Sequence, residues 1–309
     1  QALYTLVTVF FFWGFIAASN GVLIPFCKSY FKIDQFQSQL IDLAFYGTYY
    51  IGALLLFIIS SSRGSDIINK WGYKNSIIYG LLLSGLGAAI MYPAVNGAQQ
   101  GDSAVFYYVL GALFVVALGF SLQQTAANPF AISLGDPEKG SNRLNLTGGV
   151  NSFGTAIGPI VLALILFGSA PKNAEELNLM ILEGKISLST IQYLYLVVGG
   201  LFFAAASLFF FSKKIPEAKE NSEFLRAPKA MNFFLIIAVL LTVCFYFMFA
   251  EYTGDNPEPN DSFILQLSIL SLIVVMGGLL LSNRLAKKDK ESWGAMQYPQ
   301  LVLGMIAIF

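Results

Sequence analysis

The chain has 309 residues, of which 56% are hydrophobic and only 12% charged, with 18 basic and 18 acidic side chains in balance. A soluble domain carries about 25% charged residues, so most of this surface faces something other than water, and the balanced charge offers nucleic acid no footing. There is no histidine, and Cys27 and Cys244 lack metal-ligand spacing, which removes zinc sites, haem and His-dependent triads from consideration.

Long charge-poor runs of about 20 residues, the length that crosses a hydrocarbon core, follow one another along the chain. The first, 3–26, is too long for a signal peptide and lacks a small-residue cleavage site, so it reads as a membrane helix. It carries Asn20 between Ser19 and Gly21. The second, 38–61, holds Asp42, Tyr46, Tyr49 and Tyr50. The third, 75–95, contains Gly85 and Gly87 with no preceding strand, which suits close helix packing better than a nucleotide loop. In the fourth, 104–134, Gln124 and Asn128 are four residues apart on one helix face, and Pro129 follows and frees a carbonyl. The fifth, 143–168, repeats Thr147, Asn151 and Thr155 at four-residue spacing beside Gly154, Gly158 and Pro159.

After the sixth segment, 188–211, a basic stretch with two prolines over 213–230 is the best domain boundary. Two further apolar segments, 231–251 and 262–283, flank an acidic, Pro- and Asn-rich connection at 252–261. A ninth begins near Met296 and is still apolar at Phe309. Fourteen residues do not span a membrane, so the reading expects the protein to continue.

Orientation follows from Lys and Arg in the connections. If the first helix starts in the cytoplasm, the inner loops hold Arg63, Lys70, Lys74, Lys139, Arg143, Lys213, Lys214, Lys219, Arg226, Lys229, Arg284, Lys287, Lys288 and Lys290. The outer loops hold only Lys28, Lys32, Lys172 and Lys185. The N-terminus is therefore expected inside.

The polar residues within apolar helices carry the chemistry. Amides both donate and accept, as a neutral polyhydroxylated ligand requires. For any single residue an interhelical hydrogen bond, worth about 0.6 kcal/mol, is an equal reading; several converging in one bundle favour a water-filled cavity. Asp42 inside a membrane would cost about 2.5–3.5 kcal/mol without a partner, proton or cation. It fits a coupling-ion site and a hydrated acid near a helix end equally well. Trp13, Tyr46, Tyr49 and Tyr50 are aromatic faces on which a sugar could stack, with plain packing the stronger reading for each. No Walker A sequence and no nucleophile–base pair occurs, so the chain reads as neither an ATP-driven motor nor an enzyme.

At these residues the sequence resembles the fucose/glucose/galactose permease branch of the major facilitator superfamily. The resemblance rests on Gln124-Thr-Ala-Ala-Asn-Pro-Phe130, Arg143-Leu-Asn-Leu146 and Asn151-Ser-Phe-Gly154. Phe12-Trp-Gly14, Leu23-Ile-Pro25 and Ala44-Phe-Tyr46 support it. The loop Ser65 to Lys74 is similar to a degenerate form of the superfamily's inner loop between helices two and three, with Asn69 where Asp is usual. Gln297-Tyr-Pro-Gln-Leu301 looks like the start of the family's seventh helix, which makes 231–251 and 262–283 an inserted pair and implies a fourteen-helix variant. The family's fucose permeases carry carboxylates where Gly21 and Gln124 stand here, and its polar positions fall on Gly148 and Ala18. The usual proton mechanism therefore does not carry over, and Asp42 is left as the candidate for coupling to H⁺ or Na⁺.

The expected architecture is all-α and transmembrane. It comprises a major facilitator-type N-terminal six-helix half over 1–212, a basic linker over 213–230, two additional helices over 231–290, and the start of a truncated C-terminal half over 291–309. The resemblance implies a multi-pass protein of the bacterial inner membrane that moves a small polar solute, a hexose such as glucose or galactose, by alternating access. No cofactor and no metal are expected, and the partners are the sugar, the lipid bilayer and the rest of the chain. Gln124, Asn128, Asn151, Asn20 and Tyr46 would bind substrate. Pro129, Gly154, Gly158 and Pro159 would serve gating and helix packing. The alternative is a membrane sensor or structural subunit that keeps the fold without transport.

Overall fold

The computed structural model describes residues 2–168, 176, 179, 180, 183, 188–212, 226–253, 259–289 and 291–308. Much of the expected linker, the centre of the acidic connection at 252–261, and Lys172, Lys185, Lys213, Lys214, Lys219 and Lys290 lie outside the described residues. The elements are helical: α1 (Ala2–Phe31), α2 (Gln35–Arg63), a short α3 (Ile67–Trp71), α4 (Tyr73–Ala94), α5 (Ser103–Ser133), α6 (Gly140–Phe167), α7 (Leu188–Phe211), α8 (Pro228–Thr253), α9 (Asp261–Lys288) and α10 (Pro299–Ile308). Single 3₁₀ turns occupy Pro137–Lys139 and Gly294–Gln297. Eight of the helices are long and apolar enough to cross a membrane.

Helix starts and stops follow from local chemistry. Asp34 accepts the Gln37 backbone N–H at 2.6 Å, while Gln37 accepts the Asp34 N–H at 3.2 Å, a reciprocal cap that begins α2. Asn260 caps α9 by accepting from Phe263 N at 3.1 Å. At the end of α6, Gly168 adopts φ +67° and donates to Leu164 O at 2.9 Å.

The described residues form two compact units, and α2 contributes to both. The first comprises α1, α2 as far as Leu56, and α3 to α7. Within it α1 packs on α6, and α4 packs on α5 and α7. The α1–α6 contact is made by missing side chains: a β-carbon on Gly154 would lie 2.2 Å from Phe11 O, and one on Gly158 would lie 2.3 Å from Phe15 O. Apolar side chains gain little from leaving lipid, so helices in a membrane associate through such close approach. Phe45, Phe120, Phe106 and Phe130 are fully buried in this unit, and Phe120 meets Phe45 and Phe202 edge-on.

Two basic side chains close helix ends in this unit. Arg143, at the start of α6, donates to the carbonyls of Ala131 (2.8 Å), Ile132 and Asp136 (2.9 Å), satisfying the end of α5. Lys74 donates to Ser212 O at 2.9 Å beside the end of α7. Both place a cation where a helix dipole is negative.

The second unit takes Phe57–Asp66 with α8, α9 and α10. Its core is Ala230, Leu279, Ala286, Trp293, Met296 and Val302. The first-turn N–H groups of Lys229 and Ala230 donate to Ser292 O at 3.2 and 3.3 Å, and Asn283 donates to Met296 O at 2.6 Å. These bonds fasten the chain that leads into α10 against α8 and α9. Lys229 also pairs with Asp289, whose carboxyl its hydrogen bond holds below the usual carboxylate range. The exposed faces of α8 and α9 are almost wholly apolar, among them Val239, Tyr246, Leu265 and Ile273. Patches of that size suit lipid rather than water.

Candidate functional site

The first unit presents the polar residues picked out by sequence. Asn20 of α1 is 2% exposed, and its side-chain nitrogen has no hydrogen-bond partner among the described residues. The Asp42 carboxyl of α2 approaches that amide without completing a hydrogen bond. Tyr46 follows Asp42 by one turn, is 52% exposed, and stacks on Tyr49 with ring centroids 6.4 Å apart. The buried face of this pair is fixed, because Tyr49 O accepts from Ser121 Oγ of α5 at 3.1 Å. A buried amide of α1 and a half-buried carboxylate and exposed aromatic ring of α2 therefore lie near one another.

The remaining polar residues lie on α5 and α6: Gln124 on α5 is half-buried and Asn128, a turn later, is exposed. Asn151 on α6 is half-buried, and its backbone carbonyl lies against Gly14 of α1, where a β-carbon would sit 2.0 Å away. The side chains of Gln124, Asn128 and Asn151 make no hydrogen bond to one another among the described residues, so their polar atoms remain available to a ligand. The threonines beside them are committed: Thr147 donates to Leu144 O at 2.9 Å and Thr155 to Asn151 O at 3.1 Å, each within its own helix. Pro129 and Pro159 sit inside α5 and α6, and both helices continue through them.

Trp13 is 3% exposed, so its face is closed to a sugar. Its indole N–H instead donates to Gln123 Oε1 at 3.0 Å, Gln123 Nε2 donates to Ser84 Oγ at 3.0 Å, and Ser84 Oγ donates to Val116 O at 3.0 Å. This buried chain joins α1, α5 and α4. Sequence reasoning singled out Gln124 and passed over Gln123. The signal was present, since two adjacent amides in an apolar helix lie about 100° apart and must serve different surroundings.

Comparison with known proteins places these elements. The family model described as Major Facilitator Superfamily matches residues 5–309. A glucose/galactose transporter of Brucella abortus is 33% identical over 231 residues, covering 74% of this chain and 50% of that protein. The L-fucose-proton symporter of Escherichia coli is 35% identical over 171 residues, covering 55% of this chain and 36% of that protein. The crystal structure of the E. coli fucose:proton symporter superposes with a TM-score of 0.52 at 22% identity, over 98% of this chain and 73% of that one, a likeness of fold. The matched stretches span 50% of the Brucella protein and 36% of the E. coli symporter, so the chain covers about half or less of the curated relatives' length.

Proposed function

The chain belongs to the major facilitator superfamily, a family of membrane transporters rather than enzymes, and from that premise we propose that it works in secondary transport of a hexose, glucose or galactose, by alternating access. The site would lie between the helices of the first unit, in the bacterial inner membrane, with the N-terminus in the cytoplasm. The observation that carries this reading is the set of uncommitted polar groups. The unpartnered amide of Asn20, the carboxylate of Asp42, and the free side-chain amides of Gln124, Asn128 and Asn151 offer donors and acceptors that the bundle itself does not use. Leaving the buried Asn20 nitrogen unpaired costs about 1–3 kcal/mol, a cost that binding of a polyhydroxylated ring offsets. The relatives named as glucose/galactose transporters support the choice of hexose.

Asp42 is the coupling group in this reading. It is the carboxylate that faces a buried amide within the first unit, and protonation or a bound Na⁺ would neutralise it during the crossing. Gly21, one residue past Asn20, has open space where a β-carbon would point. The fucose-type carboxylate of α1 is therefore absent without being replaced by packing, and Asp42 reaches the same turn of α1 from α2.

Counterflow tests the reading without needing an ion gradient. Vesicles preloaded with unlabelled galactose should accumulate labelled galactose transiently, and Gln124→Ala and Asn151→Ala should abolish the overshoot. Overshoot that persists in both variants removes these amides from the site. A wild-type protein that binds galactose yet gives no overshoot favours the sensor reading.

A further inference from the structure

Arg143 ties the start of α6 to the end of α5, but at the level of the two amides assigned to the sugar, Gln124 and Asn151, no hydrogen bond among the described residues joins the helices. Gln124 belongs to the α4–α5–α7 group, whereas Asn151 belongs to α6, which is packed tightly on α1. What lies behind them is continuous. Gln123, the neighbour of Gln124, accepts the Trp13 indole N–H at 3.0 Å. Gly14, the neighbour of Trp13, carries the Asn151 carbonyl against its bare α-carbon. On its other side Gln123 donates to Ser84 of α4, which donates in turn to Val116 O. One amide thus grips α1 with its oxygen and α4 with its nitrogen.

On the transport reading given above, we infer that Gln123 is a positioning residue for the sugar site: acting through Trp13, it sets the separation of Gln124 on α5 from Asn151 on α6. It cannot touch solute itself, because it is fully buried at 0% exposed. Replacing Gln123 alone with an apolar side chain leaves the buried Trp13 N–H without its acceptor and costs stability in any case, so a change in helix spacing, not a loss of stability, is what marks the positioning role. The Gln side chain does something a Leu or Met cannot: it fixes the register of two helices with directed bonds at both ends. Tight α1–α6 packing carries that register to Asn151, since the glycine interface leaves no slack for α6 to slide on α1. Binding that depends on several amides meeting one ring is sensitive to shifts of about an ångström.

The test uses two variants of the protein at its natural length, with Cys27 and Cys244 replaced. Gln123→Met keeps the length of the side chain and removes both polar ends; Trp13→Phe keeps a ring and removes the donor. Spin labels at Thr125 and Ser152, the exposed neighbours of Gln124 and Asn151, report the α5–α6 distance, and galactose uptake reports KM and Vmax. A single narrow distance in the wild type should shift or broaden in both variants. KM should rise about ten-fold with Vmax nearly unchanged, and the double variant should be no worse than either single one.

Unchanged distances in both variants overturn the inference whether or not any hexose is transported. A lowered Tm with unchanged KM and unchanged distances also overturns it and leaves an interhelical bond only. Shifted distances in a protein that transports no hexose sustain the positioning role and sink the hexose reading instead.

Discussion

Gly14 of α1 lies so close to Asn151 of α6 that a β-carbon on the glycine would stand 2.0 Å from the asparagine's backbone oxygen. The residue type at position 14 therefore sets how near a candidate sugar-binding helix can come to α1. Gly14→Ala should force the helices apart and cost about 1–3 kcal/mol, the usual price of overpacking, seen as a lower Tm in detergent and reduced galactose uptake. Gly111→Ala is the control: its β-carbon would meet open space, so it should gain about 0.4–1 kcal/mol by restricting the unfolded chain. Equal Tm values for the two variants would refute the close-contact account.

Arg143 should behave as a three-carbonyl cap. Arg143→Ala leaves the end of α5 unsatisfied and should cost about 1–2 kcal/mol, below the full value of a charged hydrogen bond because the side chain is only part-buried. Arg143→Lys should recover less than half of this, since an ammonium cannot span the carbonyls of Ala131, Ile132 and Asp136 as a guanidinium does. Thermal unfolding of the three proteins decides it, and a lysine variant as stable as wild type would contradict the fork geometry.

Asn20 should trade stability for activity. Its buried nitrogen lacks a partner, so Asn20→Leu removes an unsatisfied group and should raise Tm, by about 1–2 kcal/mol in stability. The same change removes the amide facing Asp42, so hexose uptake should fall at least ten-fold. Higher stability with full uptake would take Asn20 out of the site.

Cysteine labelling tests the orientation. Cys27 and Cys244 are buried and should stay silent. In intact cells an impermeant maleimide should modify Gln99→Cys, between α4 and α5, and spare Glu138→Cys, between α5 and α6, until the membrane is opened. The reverse pattern would invert the topology inferred from the distribution of Lys and Arg.

The helices were legible because lipid demands long apolar runs, and the eight spans differ from the sequence segments mainly at their ends. Capping chemistry decides those ends, as Asp34 and Gln37 do for α2. The individual site was less legible. Gln124, Asn128 and Asn151 stand out as polar residues in apolar helices, but that signal does not separate a group left free from one already bonded. Gln123 carries the same signal and is consumed by Trp13 and Ser84. Trp13 reads as packing more strongly than as a stacking surface, and its burial agrees; periodicity gives only a face, and the packing of α1 on its neighbours tells which faces are closed. The approach of Asp42 to Asn20 joins residues from different helices and has no local signature at all.

Gradient-driven uptake tests the central claim most directly. Vesicles containing the protein at its natural length would be given labelled glucose or galactose with an imposed H⁺ or Na⁺ gradient, with Asp42→Asn alongside. The account predicts concentrative uptake of at least one of the two sugars under one gradient, reduced in Asp42→Asn to uptake that equilibrates without concentrating. No hexose uptake by folded wild-type protein would contradict the transport reading, and concentrative uptake unchanged in Asp42→Asn would contradict the coupling role.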